Sequence, residues 1–192
     1  MEAKEIVKAY YSHVSEEVWE RAKKIKLLIT DVDGVLTDGG VIYDDNKIEF
    51  KKFNVKDGLI VHHLRRSYIM VGAITGRSSQ VVMNRCEELR FDFHYHGIKD
   101  KLKKLSEILE TMEIALEEVA YIGDDLIDLP ILTKVGLAVA PSDALAYVKP
   151  YVHYVSPLDG GKGVFRETAD LILHSKGRLL PLIQTFIEKN DE

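Results

Sequence analysis

The sequence holds a single cysteine, Cys86, so no disulfide framework is open to it. The run Asn84-Arg85-Cys86-Glu87 around it reads as ordinary helix and offers no His to activate a thiolate, which predicts a buried, inert thiol. Long apolar runs are also missing. None approaches the roughly 20 residues that cross a bilayer, which argues against a membrane protein. The first residues are polar and charged, unlike a secretory leader, and together these features predict the cytoplasm. The net charge is −5, with no basic stripe of the kind that tracks nucleic acid or anionic lipid. Repeats, low-complexity tracts and linkers are lacking as well. By exclusion, the expected partner is a small molecule.

What is present suits one α/β domain spanning residues 1–192: 46% of residues are hydrophobic and 30% are charged. Residues 1–24 read as an amphipathic helical segment, with Ser15 as a candidate N-cap before Glu16 and Glu17. Short apolar runs at 27–29, 69–74, 119–122 and 137–140 predict buried strands, with a further short strand at 91–95. Asp44-Asp45-Asn46 is turn chemistry inside an extended stretch, which predicts a β-hairpin over 41–53. Helices are predicted at 57–66, at 78–89 with Ser78 as cap, and at 101–111. Residues 156–192 read as a mobile, Gly-rich tail followed by a final helix from about Lys176. Buried strands alternating with helices predict a doubly wound, Rossmann-like parallel sheet.

Three of the predicted strands run straight into polar residues: Asp31-Val32-Asp33-Gly34, Thr75-Gly76, and Gly123-Asp124-Asp125. Ligands of open parallel sheets bind beyond the carboxyl ends of the strands. Neighbouring strands would therefore gather at least three carboxylates and a hydroxyl at one spot. Such a cluster repels itself unless a cation sits within it, and all-oxygen ligation suits Mg²⁺. Asp31 and Asp33 are two residues apart, so on extended chain both side chains reach the same pocket. One can attack while the other handles protons.

These segments resemble the haloacid dehalogenase superfamily of phosphatases. Asp31-Val32-Asp33-Gly34-Val35-Leu36-Thr37-Asp38 is similar to its first motif and Thr75-Gly76-Arg77 to its second. Lys101 in Gly97-Ile98-Lys99-Asp100-Lys101 is similar to the third, and Gly123-Asp124-Asp125-Leu126-Ile127-Asp128 to the fourth. Phe53-Asn54-Val55-Lys56-Asp57-Gly58 and Gly160-Gly161-Lys162-Gly163-Val164-Phe165-Arg166-Glu167 resemble a branch that lacks a cap domain. That branch acts on 3-deoxy-D-manno-octulosonate 8-phosphate, in lipopolysaccharide biosynthesis. The chain departs from it at Ile60-Val61-His62-His63, where the branch carries a second glycine and then a basic residue.

The resemblance implies that Asp31 is the nucleophile, that Asp33 is the general acid and base, and that Thr75 and Lys101 bind the phosphoryl group. It implies Mg²⁺ on Asp31, Asp124 and the backbone carbonyl of Asp33, with Asp125 and Asp128 in supporting roles. Gly76, Arg77, Asn54, Lys56 and Asp57 would shape the substrate site. It further implies a homotetramer with the hairpin between subunits and with the tail bringing Lys162 or Arg166 to a neighbour's sugar acid. A nine-carbon 2-keto sugar acid phosphate is the alternative substrate. A receiver-type phosphoacceptor domain or a silent interaction module would be the non-enzymatic alternatives. Two acids on the first strand favour turnover over signalling. The pairs His94/His96 and His62/His63 read as surface or core residues rather than as a second metal site.

Overall fold

A computed structural model describes residues 3–188. The helices are α1 (Ala3–Tyr10), α2 (Glu16–Lys24), α3 (Lys56–Arg66), α4 (Gln80–Glu88), α5 (Lys101–Met112), α6 (Leu129–Leu132), α7 (Val164–Ser175) and α8 (Leu179–Glu188). The strands are β1 (Leu27–Thr30), β2 (Ile42–Tyr43), β3 (Glu49–Phe50), β4 (Met70–Ile74), β5 (Phe93–Tyr95), β6 (Val119–Ile122), β7 (Leu137–Ala140) and β8 (Tyr154–Val155). Six of the strands form one parallel sheet in the order β5-β4-β1-β6-β7-β8, while β2 and β3 pair antiparallel by themselves. The chain winds outward from β1 on one side and, returning through β6, outward on the other. That is the doubly wound topology expected, with its switch point between β1 and β6.

The short apolar runs form strands because both of their faces are covered. Leu28 packs into one core with Val71, Ala120 and Val139, beneath residues of α2, α3, α4 and α7. Leu27 and Ile29 face the opposite way, into a second core with Val119, Tyr121 and Ala138 beneath α5 and α6. Burial on two sides is why these runs show no polar alternation. Ser15 caps α2 as expected, accepting a hydrogen bond from the Val18 amide at 3.3 Å. Among the described residues no helix is long and apolar enough to cross a membrane.

Three expectations are corrected. The predicted hairpin over 41–53 pairs only Ile42–Tyr43 with Glu49–Phe50. The helix expected to start at Ser78 starts at Gln80 instead, and its N-cap, Ser79, makes no side-chain capping bond, because its hydroxyl goes to the Glu49 carboxylate. The third correction is the largest. The segment read as a mobile tail contains α7, which is central to the core: Val164, Phe165, Ala169, Leu171, Ile172 and Leu173 are all fully buried. Glycines at its start disguise a helix that is buried over most of its circumference, Glu167 and Thr168 included. They serve close packing instead. A Cβ on Gly160 would lie 2.1 Å from the Gly34 carbonyl oxygen, and the Gly161 amide donates to the Val35 carbonyl at 2.9 Å. The loop is therefore fastened to the turn after β1 of its own chain.

The placement of α7 generates two predictions. Phe165 stacks on Phe91 with ring centroids 5.9 Å apart, so Phe165→Ala should lower stability by about 3–5 kcal/mol in urea unfolding, whereas a loose tail would lose nothing. Glu167 is buried beside the Tyr154 hydroxyl, 2.7 Å away, and burial pushes its carboxyl up to about 7 from the ordinary 4.5. The folded chain thus holds a proton there that the unfolded chain releases, and stability falls as pH rises through about 4.5 to 7. Glu167→Gln should flatten the decline in urea midpoint between pH 5 and pH 8.

Candidate active site

Four chain segments converge at the carboxyl edge of the central strands. Asp31 follows β1, and its amide donates to the Ile122 carbonyl of β6 at 2.9 Å. Thr75 follows β4, tied by its amide to the Tyr95 carbonyl at 2.9 Å. Asp124 follows β6 after Gly123, whose amide reaches the Val139 carbonyl at 3.1 Å. Lys101 opens α5, which is capped by the Asp100 carboxylate accepting from the Lys103 amide at 2.9 Å. The regular registry of β1 with both β4 and β6 fixes the spacing of these ends.

Lys101 is the hub. Its side chain is almost fully buried, and its ammonium lies 2.9 Å from Asp31 Oδ1 and 2.7 Å from Asp128 Oδ1. Asp128 in turn accepts from the Tyr121 hydroxyl at 2.7 Å and, through Oδ2, from the amides of Asp124 at 3.0 Å and Asp125 at 3.2 Å. Both Asp128 oxygens are therefore engaged in holding Lys101 and the turn after β6. Burial would lower the ammonium's pKa, but the charges of Asp31 and Asp128 raise it, so Lys101 stays protonated.

Asp31, Asp124 and Asp128 bring carboxylate oxygens within 4.8 Å of one another. Burial, followed by the charge of Asp128, pushes Asp31 up to about 7 against the opposing pull of Lys101. Burial and the charges of Asp31, Asp128 and Asp125 push Asp124 up to about 8. Asp124 Oδ1 is buried without a hydrogen-bond partner among the described residues, and Asp31 Oδ1 meets Lys101 without hydrogen-bond geometry. Gly34, at φ +90°, lets the loop after β1 close over this spot; a Cβ there would lie 2.2 Å from Asp124 Oδ2. Two crowded anions with spare oxygens in a tight cradle fit a small divalent cation. Asp128, already spent on four donors, is better suited to holding Lys101 than to ligating the cation.

The Asp33 carboxylate is not a member of this close group. One oxygen, Oδ1, is held by the Lys51 ammonium, and Arg77 Nε stands 3.9 Å from Oδ2. Arg77 also bonds Glu49 Oε1 at 2.8 Å and the Tyr43 hydroxyl at 3.0 Å. Sequence reasoning missed Lys51 and Glu49. The available signal was their two-residue spacing on an extended stretch, which puts both on one face of the hairpin.

The remaining predicted substrate residues are not gathered at the cluster. Asn54 accepts from the Lys56 amide at 3.1 Å, and Asp57, buried, accepts from the Arg166 amide at 3.1 Å. Burial pushes Asp57 up to about 6. The Arg166 side chain pairs with Asp170 at 2.8 Å. Lys56, Lys162 and Arg166 line a separate cavity of about 440 Å³ with none of Asp31, Asp33, Thr75 or Asp124 in its walls. At the departure from the branch, Ile60 and Val61 are buried in the core.

Comparison with known proteins shows the family. The signature of the haloacid dehalogenase-like hydrolases matches residues 95–167. The chain is 46% identical over 169 residues to 3-deoxy-D-manno-octulosonate 8-phosphate phosphatase of Escherichia coli strain B, covering 88% of this chain and 90% of that one. A crystal structure of the Moraxella catarrhalis enzyme of that name, holding magnesium, phosphate and KDO, superposes with a TM-score of 0.86 at 38% identity, covering 88% of this chain and 98% of that one. The cobalt-bound Haemophilus influenzae enzyme superposes with a TM-score of 0.79 at 39% identity, covering 83% and 93%. At this level of identity and coverage, the chain belongs to the 3-deoxy-D-manno-octulosonate 8-phosphate phosphatase family of the haloacid dehalogenase-like hydrolases.

Proposed function

We propose that this protein is a Mg²⁺-dependent phosphatase that converts 3-deoxy-D-manno-octulosonate 8-phosphate to the free sugar acid and inorganic phosphate. The observation that carries this reading is the Lys101–Asp31 pair at 2.9 Å beside an unpartnered Asp124 oxygen, at the switch point of the sheet. The E. coli relative supports the substrate, and the Moraxella structure supports the metal.

Asp31, Asp124 and the backbone carbonyl of Asp33 would hold Mg²⁺. When bound, the cation offsets the repulsion between carboxylates and an incoming phosphate dianion. An Asp31 oxygen attacks phosphorus in line, the bond from phosphorus to the sugar oxygen breaks, and an aspartyl phosphate forms. Asp33 gives its proton to the departing oxygen. It then takes one from the water that attacks phosphorus and frees Asp31. Lys101 neutralises charge on Asp31 and the phosphoryl oxygens. The Thr75 hydroxyl accepts from the Arg77 amide at 3.4 Å, which leaves its own proton to donate to phosphate. Gly76 and Arg77, directly after Thr75 in the chain, would meet the sugar acid.

Between β1 and β4 the chain makes only the hairpin and α3. Val41, Ile42, Tyr43, Ile48 and Phe50 on that hairpin are all more than half exposed, an apolar surface suited to burial between copies of the chain. We therefore favour a cytoplasmic homotetramer assembled through it.

Asp31→Asn should lower phosphate release from the sugar phosphate by at least about a thousandfold. Near-normal turnover by that variant would rule out a covalent route through Asp31. Removing divalent cations with EDTA should abolish release by the wild type, and added Mg²⁺ should restore it. Release that persists in EDTA would refute the metal dependence.

A further inference from the structure

Lys51 lies at the foot of the hairpin, directly after β3. Its side chain has no exposed surface, and its ammonium contacts Asp33 Oδ1 and lies 3.4 Å from Glu49 Oε1. A buried ammonium is tolerated only when paired, and here the pair includes the carboxylate that must move protons. Glu49 is in turn held by Arg77 at 2.8 Å and by the Ser79 hydroxyl, so the hairpin is braced against the loop after β4. Asp33 Oδ2, by contrast, is buried and has no hydrogen-bond partner among the described residues. One oxygen of Asp33 is thus anchored, while the other makes no hydrogen bond and has only the Arg77 guanidinium near it, Nε at 3.9 Å.

We infer that Lys51 is a positioning residue for the reaction: it holds Asp33 Oδ1 away from the Asp31–Asp124 cluster and aims Oδ2 at the leaving oxygen and, later, at the attacking water. This inference rests on the phosphatase reading above. The physical need is specific. A carboxylate two residues from Asp31 would otherwise swing toward any cation at that cluster and be lost to proton transfer. The competing role for Lys51 is a purely structural one, pinning the hairpin to the domain.

The two roles separate by leaving group. A sugar phosphate expels an alkoxide that needs a proton, whereas p-nitrophenyl phosphate expels a phenolate that does not. Hydrolysis of the aspartyl phosphate needs a base with either ester. Lys51→Met should therefore lower kcat for the sugar phosphate by about 30-fold or more, with KM within about threefold. With p-nitrophenyl phosphate, rapid mixing of the same variant should show a near-stoichiometric burst of nitrophenolate, followed by slow steady turnover. Lys51→Gln makes the same comparison should the Met variant fail to fold. Equal losses on both esters without a burst, or no loss on either, would overturn the positioning role while leaving the phosphatase reading intact. A wild type that releases no phosphate from either ester with Mg²⁺ would overturn both.

Discussion

The buried Lys101 ammonium organises the structure around it. It stands between Asp31 and Asp128, bringing a residue from the start of α5 into contact with the ends of β1 and β6. Without that positive charge, several carboxylates would face one another in a region largely shielded from water. Their raised pKa values record burial first and that repulsion second. Asp128 is the second half of the device. By accepting from Lys101, Tyr121 and two backbone amides, it fixes the ammonium and shapes the turn that presents Asp124. The stability of the fold and the readiness of the site therefore depend on the same few atoms.

Around this hub the chain closes through contacts that leave little room. Gly34 lets the loop after β1 pass over Asp124, and Gly160 lets the segment before α7 lie against that loop. The hairpin adds an electrostatic brace on the other side, from Lys51 and Glu49 to Asp33, Arg77 and Ser79. Its outer surface, with Ile42 paired to Phe50, is apolar and exposed. One short element thus has its polar side on the proposed chemistry and an exposed apolar side.

Much of the sheet and of the acidic cluster was legible in the sequence, because both follow from local signals. Short apolar runs ending in Asp or Thr mark buried parallel strands with polar carboxyl ends, and Asp31, Thr75 and Asp124 fall at those ends. Lys101 was legible only through family resemblance, since nothing in its own neighbourhood separates it from the other lysines of α5. Helix α7 was hidden because glycines at its start look like loop, and because the buried Glu167 and Thr168 interrupt its apolar pattern.

Local sequence signals specify the strand-helix alternation, the chemistry of the residues at the strand ends and the lack of a disulfide or bilayer-crossing run. Each of these depends on neighbours a few residues apart. It took the folded chain to pair Asp33 with Lys51, to spend Asp128 on Lys101, and to put Lys56, Lys162 and Arg166 around a different cavity. Those outcomes turn on which distant side chains share a buried space. Charge pairing there is set by burial and distance, and local sequence encodes neither.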